Sequence, residues 1–280
     1  MNLFMRFPNG KAKALTLSYD DGNIEDKKLI DILKPYGIKA TFNINSGMFS
    51  SNDIVGEGRM SVNQVKELYK NSGHEVAVHA LTHPFLEKLP LHIAVDEILQ
   101  DRKNLEEIFD GVIRGMAYPY GTYNDAVVEV LKNVGIAYSR TCISTHDFRL
   151  ATDWLRLTTT CHHNDVLLNE LADKFVNANP NSGPPSQREA LLFYLWGHSY
   201  EFDRNKNWNV IEAFAQKIGK REDIWYATNI EIYDYIEAYK SLKFSVDGNF
   251  VYNPSGLTIW FEKDNKLQTI LPNETKSIEK

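Results

Sequence analysis

The sequence predicts an α/β protein whose parallel strands close into a barrel. Apolar runs typical of strands alternate with amphipathic helical segments over most of the 280 residues. Polar and ionisable residues follow the same end of several of these strands, as they do at the catalytic edge of parallel barrels. The last forty residues are rich in β-branched and aromatic residues and instead predict a small antiparallel β appendage.

The first half of the chain contains four strand patterns, each followed by a helix pattern. The strands are predicted in KALTLSY, IKATFNIN, HEVAVH and VIRGMAYP. The helices are predicted in EDKKLIDILKPYG, SVNQVKELYKNSG, the segment 91–109 and NDAVVEVLKNVG. Ser61 and Gln64 form a capping-box signature at the start of the second helix, and Gly73 is expected to end it. Repeated strand–helix units of this kind indicate a parallel sheet.

The second half continues the alternation. Strands are predicted in IAYSRT, DWLRLTTT, EALLFYLWGH and IWYATN. Helices are predicted in NDVLLNELADKFVNAN, WNVIEAFAQKIG and NIEIYDYIEAYKS. The Pro- and Gly-rich stretch 178–188 is interpreted as a loop within the main domain rather than a linker. We therefore predict a barrel domain over residues 1–240 and a β appendage over residues 241–280.

Composition excludes several classes of partner. The formal net charge is −6 and the basic residues are scattered, so no basic stripe is available to bind a phosphate backbone, and no nucleic-acid partner is expected. The two cysteines, Cys142 and Cys161, do not suggest a disulfide framework. The N-terminal residues do not resemble a signal peptide and no apolar run is long enough to cross a bilayer, which predicts a cytoplasmic protein without a membrane partner.

Two adjacent aspartates, Asp20 and Asp21, follow the first barrel strand in the stretch YDDG. A turn after a strand often contains Asp-Gly, but a turn needs only one of the two carboxylates. His79 and His83 follow the third strand and are expected at the same edge. On a single helical turn these histidines would lie roughly 5–6 Å apart, which suits two imidazoles on one metal ion. The alternative is two unrelated surface histidines.

Two histidines and one carboxylate leave coordination positions open for water and substrate, as hydrolytic metal sites require. The second carboxylate is then free to take a proton from water. The pattern predicts that one aspartate binds the ion and that the other is the base, without deciding which. The same ligands also hold iron in oxygenases, but those sites commonly lie on all-β folds.

Other ionisable and aromatic residues follow later strands. Cys161, His162 and His163 resemble a second metal cluster, but consecutive ligands seldom bind one ion, so a substrate-contacting loop is favoured over an ordinary loop. Trp154 and Trp196 have faces that suit a sugar ring, although core packing is the commoner fate of a Trp on a strand. The appendage is expected to pack on the barrel rather than to bind a subunit or a carbohydrate.

Five short motifs occur within residues 14–198, in the order YDDG, HALTH, AYPYG, TDW and LWGH. In this order they resemble the five motifs of the polysaccharide deacetylases, the NodB-like enzymes of carbohydrate esterase family four. The resemblance implies a distorted (β/α)7 barrel and an enzyme that removes N- or O-linked acetyl groups from a small acetylated carbohydrate. It also implies a divalent metal, usually zinc, with cobalt, nickel and manganese as alternatives.

The resemblance assigns roles to particular residues. Asp20 corresponds to the catalytic base, and Asp21, His79 and His83 correspond to the metal ligands. His198 corresponds to the general acid that protonates the departing amine.

The resemblance also implies a set of substrate-binding residues. Tyr120, next to Pro119, corresponds to the residue whose backbone N–H helps to stabilise the oxyanion. Leu195 corresponds to a wall of the acetyl-methyl pocket, with Trp196 beside it. Asp153, in the fourth motif, is also expected to contact substrate. Independently of the resemblance, His163 is expected to contact substrate because its loop follows a strand at the same edge of the barrel.

Two positions depart from the family pattern. Ala80 stands where the family usually has Ser or Thr after the first metal histidine. Ala117 stands where the third motif usually has the Arg that orients the catalytic aspartate, so Arg114 or Arg156 is expected to reach that place instead.

These departures keep two alternative functions open. One is a related barrel hydrolase that acts on a non-sugar amide or a cyclic imide. The other is a carbohydrate-binding protein that has lost turnover.

Overall fold

The computed structural model describes residues 2–51 and 58–278. It contains one large parallel sheet surrounded by helices and two small antiparallel sheets. The predicted α/β class and the antiparallel appendage are therefore confirmed. Strands and helices are numbered along the chain below.

The parallel sheet closes on itself. Its strands are β2 (Lys13–Asp20), β3 (Thr41–Ile44), β4 (Glu75–Val78), β5 (Gly115–Ala117), β6 (Tyr138–Ser144), β7 (Leu157–Thr159), β8 (Cys161–His162) and β9 (Leu191–Gly197). Strands β2 to β7 pair in chain order, and β9 pairs with both β2 and β8. Only Thr160 separates β7 from β8, and its backbone N–H donates to the carbonyl of Tyr194 at 2.9 Å. The bent segment 157–162, which contains β7 and β8, thus pairs with both β6 and β9. It counts as one strand and closes the sheet into a seven-stranded barrel.

The central strand β2 positions the first site residues. All eight of its residues are buried, as expected for a parallel strand covered on both faces. Its polar side chains find partners inside: Thr16 donates to Asn229 at 2.7 Å, and Ser18 accepts from Asn43 at 2.8 Å. A short strand, β10 (Ile224–Tyr226), pairs with its N-terminal half. The carboxyl end of β2 therefore reaches the rim from a rigid, fully packed strand.

The helices cover the outside of the barrel. They are α1 (Asp26–Leu33), α2 (Val62–Tyr69), α3 (Leu91–Phe109), α4 (Asp125–Asn133), α5 (Leu168–Asn177), α6 (Ser199–Arg204), α7 (Asn209–Ile218) and α8 (Asn229–Lys240). The capping box of Ser61 and Gln64 is present. Helix α2 ends at Tyr69, however, so Gly73 is not its C-cap and that prediction was wrong. Helix α6 was not predicted from the sequence.

The C-terminal residues form two three-stranded sheets together with the N-terminus. The strands are β1 (Leu3–Arg6), β11 (Lys243–Phe244), β12 (Phe250–Tyr252), β13 (Ile259–Lys263), β14 (Lys266–Ile270) and β15 (Thr275–Ser277). Strand β1, which was not predicted, pairs with β13, and Arg6 forms a buried ion pair with Glu262 at 3.0 Å. Apolar residues of the appendage pack in one cluster with residues of α8 and β9. The domain boundary at residue 240 stays a prediction.

Within residues 2–51 and 58–278, no helix combines the length and the apolar character that crossing a bilayer requires.

Candidate active site

The two aspartates after β2 contact different neighbours. Asp21 has a positive φ of 85°, and Gly22 follows with 64°, so the chain turns sharply where the strand ends. The Asp21 backbone N–H donates to the Asn43 carbonyl at 2.8 Å, which holds the turn against β3. Asp20 is almost fully buried, whereas the Asp21 side chain is 13% exposed. The sharp turn separates two adjacent carboxylates into a buried and an accessible one.

Asp21, His79 and His83 converge on one point. Asp21 Oδ1 lies 3.9 Å from His79 Nε2 and 3.8 Å from His83 Nε2. The two imidazole rings are 4.8 Å apart between centroids. The two histidines do not lie on the predicted helical turn. Ala80 and His83 both have positive φ, and an irregular loop brings the ring of His83 next to that of His79. That prediction was wrong about the loop, although the rings do meet.

Hydrogen bonds fix which nitrogen of His79 faces the cluster. His79 Nδ1 lies 2.8 Å from the carbonyl of Ala117, which can only accept, so Nδ1 carries the proton and Nε2 keeps its lone pair. The buried carboxylate of Asp101 accepts from the backbone N–H of His79 at 3.0 Å. Burial lowers the pKa of His79 to about 4, against the pull of Asp20 and Asp21. The imidazole is therefore neutral near pH 7, as a metal ligand must be.

These three side chains fit a divalent cation. Two imidazole nitrogens and one carboxylate oxygen form a zinc-type donor set with positions left for water and substrate. The separations of 3.8–3.9 Å exceed by only a few tenths of an ångström the roughly 3.4 Å edge of a tetrahedral zinc site. Arg59 also reaches this point, with Nη2 3.2 Å from Asp21 Oδ1. A small contraction of the ligands would close the site around an ion.

Asp20 lies beside the cluster and is held by its own partners. Its Oδ1 accepts from Asn43 Nδ2 at 2.8 Å, and its Oδ2 pairs with the guanidinium of Arg140. Burial acts to raise the pKa of Asp20, but the positive charge and hydrogen bond of Arg140 together with contributions from His79 and His198 outweigh it, and the net pKa is lowered. Asp20 is thus an ionised carboxylate whose Oδ2 lies 3.9 Å from His79 Nε2.

Arg140 is the arginine that contacts Asp20, and neither Arg114 nor Arg156 does. Arg114 pairs with Asp234 at 2.7 Å, and Arg156 pairs with Asp153 and Asp125. The expectation that Arg114 or Arg156 replaces Ala117 was therefore wrong. Arg140 extends from β6, the strand next to that of Ala117, and is completely buried. The strand IAYSRT, which contains Arg140, is predicted from the sequence. The position of Arg140 on that strand is the signal that could have identified it.

His198 lies at the start of α6, directly after β9. Its Nδ1 is 3.5 Å from Glu201 Oε1. Burial acts to lower the pKa of His198, but Glu201, Asp20 and Asp21 outweigh it, and the net pKa is raised. A protonated imidazole on this rim can donate a proton. Glu201 was not predicted from the sequence, because α6 has only six residues and no recognisable helical period.

The other predicted substrate residues differ in exposure. Tyr120 is 52% exposed, with a positive φ of 58°, and its ring stacks on Phe85 with 3.9 Å between centroids and lies 4.5 Å from His83. Pro119 beside it is buried. Asp153 is exposed and caps a short 3-10 turn. Tyr120 is thus the residue of this group that presents an open aromatic face next to the candidate ligands.

The residues predicted on and beside β9 are covered. Leu195 is fully buried in the barrel core, and Trp196 is 8% exposed with the Arg140 guanidinium 4.6 Å from its ring centre. His163 is fully buried and packs against the rings of Tyr19 and Phe202. A direct substrate contact from His163 would need an exposed edge, which the ring does not have here.

Known proteins share both sequence and fold with this chain. Residues 8–139 match the family model described as polysaccharide deacetylase. A curated relative, the chitooligosaccharide deacetylase of Sinorhizobium fredii, is 24% identical over 140 residues, which cover 49% of this chain and 60% of that protein. The match therefore spans less than two thirds of the relative's length.

Solved deacetylase structures share the fold. A Mycobacterium smegmatis protein assigned as a polysaccharide deacetylase superposes with a TM-score of 0.58 at 17% identity, covering 84% of this chain and 93% of that one. The peptidoglycan deacetylase PdaC of Bacillus subtilis superposes with a TM-score of 0.51 at 17% identity, covering 84% and 96%. The NodB-like barrel implied by the five motifs is thereby confirmed.

Proposed function

We propose that this protein is a metal-dependent hydrolase that removes acetyl groups from an acetylated sugar or oligosaccharide. One observation carries the proposal: Asp21, His79 and His83 converge at the rim, while the neighbouring Asp20 lies beside them as an ionised carboxylate paired with Arg140. The family match of residues 8–139 supports the same reaction class. The two adjacent aspartates then have separate tasks, ligand and base.

The residues divide the work of amide or ester hydrolysis. A divalent cation held by Asp21, His79 and His83 supplies Lewis acidity toward the acetyl carbonyl. Asp20 accepts the proton of the attacking water, because it is ionised and Arg140 holds its orientation. His198 donates a proton to the departing nitrogen or oxygen. The backbone N–H of Tyr120 is proposed to stabilise the oxyanion.

The substrate class rests on the family and on the shape of the rim. One relative is named a chitooligosaccharide deacetylase and a fold neighbour a peptidoglycan deacetylase, and both names describe acetylated sugar substrates. The exposed ring of Tyr120, beside His83, offers a flat face of the kind that packs against a sugar ring. We therefore propose an acetylated carbohydrate, with either an amide or an ester linkage.

A binding protein without turnover is the weaker alternative. It was motivated by Ala80 and Ala117, but Arg140 supplies the buried positive charge that Ala117 cannot. Binding alone would need neither the ionised Asp20 nor the raised pKa of His198.

An acetate-release screen tests the proposal. The zinc-loaded protein is assayed on N- and O-acetylated mono- and oligosaccharides, and in parallel on small cyclic imides. Acetate release from a sugar, lost on chelation and restored by zinc, is the expected result. Ring opening of an imide without acetate release, or sugar binding without any turnover, would assign the site to one of the two alternatives.

A further inference from the structure

Three histidines converge on the single carboxylate of Glu201. Its Oε2 lies 3.1 Å from His162 Nε2 and 3.0 Å from His163 Nε2. Its Oε1 lies 3.5 Å from His198 Nδ1. The Glu201 side chain is only 13% exposed, and burial acts to raise its pKa, but the contacts with the three histidines outweigh burial and hold the pKa well below its ordinary value. A buried, ionised carboxylate therefore lies directly behind the candidate general acid.

This cluster resembles a second metal site, but its hydrogen bonds favour another interpretation. The backbone N–H of Asn164 donates to His162 Nδ1 at 3.1 Å, so Nδ1 carries no proton. The neutral ring then has its proton on Nε2, which faces Glu201. A metal ligand would need a lone pair at that same nitrogen. His162 therefore presents a proton rather than a lone pair toward Glu201 Oε2, which does not suit a metal ligand.

Packing fixes the back of the cluster. His163 packs against both Tyr19 and Phe202, with ring centroids 5.8 and 4.0 Å away, and these two rings also contact each other at 6.2 Å. Its backbone N–H donates to the Trp196 carbonyl at 2.9 Å. A Cβ atom on Gly197 would lie 2.0 Å from His163 Nδ1, so the His163 ring occupies the space that a side chain at position 197 would need. The His163 ring cannot move away from Glu201 without moving β9 or α6.

We propose that Glu201 is a positioning residue for His198, and that His162 and His163 hold the other carboxylate oxygen of Glu201, Oε2, in place. The proposal rests on the proposed function, because it assumes that His198 is the proton donor. Glu201 Oε1 lies 3.5 Å from His198 Nδ1, and Nδ1 forms no hydrogen bond within the described residues, so Glu201 is the carboxylate that a small approach of the two side chains would bring into hydrogen-bond contact. A carboxylate at Nδ1 holds the ring so that Nε2–H is the proton available for transfer.

The role of Glu201 predicts a dependence on the leaving group. An amine leaves as a neutral molecule only if it is protonated, whereas 4-nitrophenolate leaves without a proton. The Glu201→Gln variant keeps the shape of the side chain and removes its charge. We expect its kcat on an N-acetylated amino sugar to fall about ten- to a hundredfold, part of the roughly 10²–10⁴-fold that a general acid contributes. Its kcat on 4-nitrophenyl acetate should stay within about threefold of the wild type.

Controls separate this role from simple destabilisation. Glu212→Gln changes an exposed glutamate on α7 and should leave both substrates unaffected. If Glu201→Gln does not fold, Glu201→Asp, which keeps the charge one methylene further from His198, should show the same selective loss. Equal losses on the amide and the aryl ester would overturn the proposal.

A second readout does not need turnover. In ¹⁵N-histidine NMR spectra, the wild type should show a hydrogen-bonded Nδ1 proton on His198 that moves upfield in Glu201→Gln, because an uncharged amide oxygen is a weaker acceptor than a carboxylate. An unchanged His198 signal would contradict the positioning role. If the wild type shows this signal but releases no acetate from any substrate, the proposed function fails while the positioning contact stands. If the wild type binds two zinc ions per chain and Glu201→Gln binds one, the proposed role of His162 and His163 is wrong, and the cluster is a second metal site.

Discussion

At the scale of single residues, the proposed chemistry depends on a division of labour between Asp20 and Asp21. The two side chains are adjacent in sequence but face different partners, because the backbone leaves its extended conformation between them. Asp20 is in contact with Asn43 and Arg140, while Asp21 is in contact with His79 and His83. Either carboxylate alone would provide a base or a ligand, but not both.

This division predicts that an isosteric change at Asp20 abolishes acetate release but leaves zinc binding intact. Asp20→Asn removes the base and leaves Asp21, His79 and His83 unchanged. Acetate release should fall by at least the roughly 10²–10⁴-fold that general-base catalysis contributes, while one zinc ion per chain still binds. Acetate assays and elemental analysis measure the two properties. Asp31→Asn on the exposed face of α1 is the control, and wild-type turnover in Asp20→Asn would show that another group is the base.

Arg140 provides the second prediction at this scale. Its ion pair with Asp20 is buried, so removing one partner leaves an uncompensated charge in the barrel. Arg140→Met should reduce the free energy of unfolding by about 3–5 kcal/mol and should also reduce acetate release. The double variant Asp20→Asn with Arg140→Met should be no less stable than Arg140→Met alone, because its barrel contains neither charge. Additive losses in urea unfolding would contradict a direct coupling.

At the scale of elements, the junction of β9 and α6 couples the barrel to the candidate acid. Gly197 ends β9 and precedes His198, and its backbone lies against the ring of His163. A side chain here would displace His163 and, through Glu201, the start of α6. The packing of this junction therefore has consequences for both stability and catalysis.

Gly197→Ala is the corresponding variant. Its Cβ would come within 2.0 Å of His163 Nδ1, and overpacking of this kind costs about 1–3 kcal/mol. We expect a lower free energy of unfolding together with a lower kcat on amide substrates. Gly256→Ala is a matched control, because no atom lies within 4 Å of the place that its Cβ would occupy, and its stability should change by less than about 0.5 kcal/mol. Equal effects of the two changes would exclude the contact as the cause.

Most barrel elements could be predicted because their hydrophobic period is clear over several turns or residues. Strand β1 and helix α6 could not, since four and six residues contain too little of a repeat to be recognised. The loop after His79 was misjudged as helical because positive φ values at Ala80 and His83 leave no sequence signal when the residues are not glycine.

Site residues could be predicted where they directly follow a strand in the sequence, because the carboxyl ends of the parallel strands meet at one rim of the barrel. Asp20, Asp21, His79 and His83 were all placed at the carboxyl ends of strands, where the structure brings them together. Arg140 was not selected, because spacing along the chain does not say which of two adjacent strands supplies a side chain to a shared interior. Glu201 was missed together with its helix.

At the scale of the whole molecule, several buried or half-buried carboxylates make folding depend on pH. Glu75, on β4, accepts hydrogen bonds from Thr41, Tyr138 and the backbone of Ile230. Burial nevertheless raises its pKa from 4.5 to about 7. Between these two values, the unfolded chain has released this proton and the folded chain still holds it. Stability contributed by protonated Glu75 is therefore lost as the pH rises through this range.

Glu75→Gln isolates this contribution. The amide stays neutral, and Tyr138 can accept from it instead of donating. The stability of the wild type relative to Glu75→Gln should decrease by on the order of 3 kcal/mol between about pH 4 and about pH 8. Urea unfolding of both proteins measures the difference, and titration of Asp26 and Asp101, whose pKa values are also about 7, cancels in it. A difference that is constant with pH would contradict the assignment.

The most direct test of the central claim is a crystal structure grown with excess zinc, with anomalous diffraction recorded at the zinc edge. We predict one ion about 2.0–2.2 Å from Asp21 Oδ1, His79 Nε2 and His83 Nε2, with Asp20 beside it but outside the coordination shell. No anomalous peak among these three side chains, or an ion coordinated by Asp20 instead of Asp21, would contradict it.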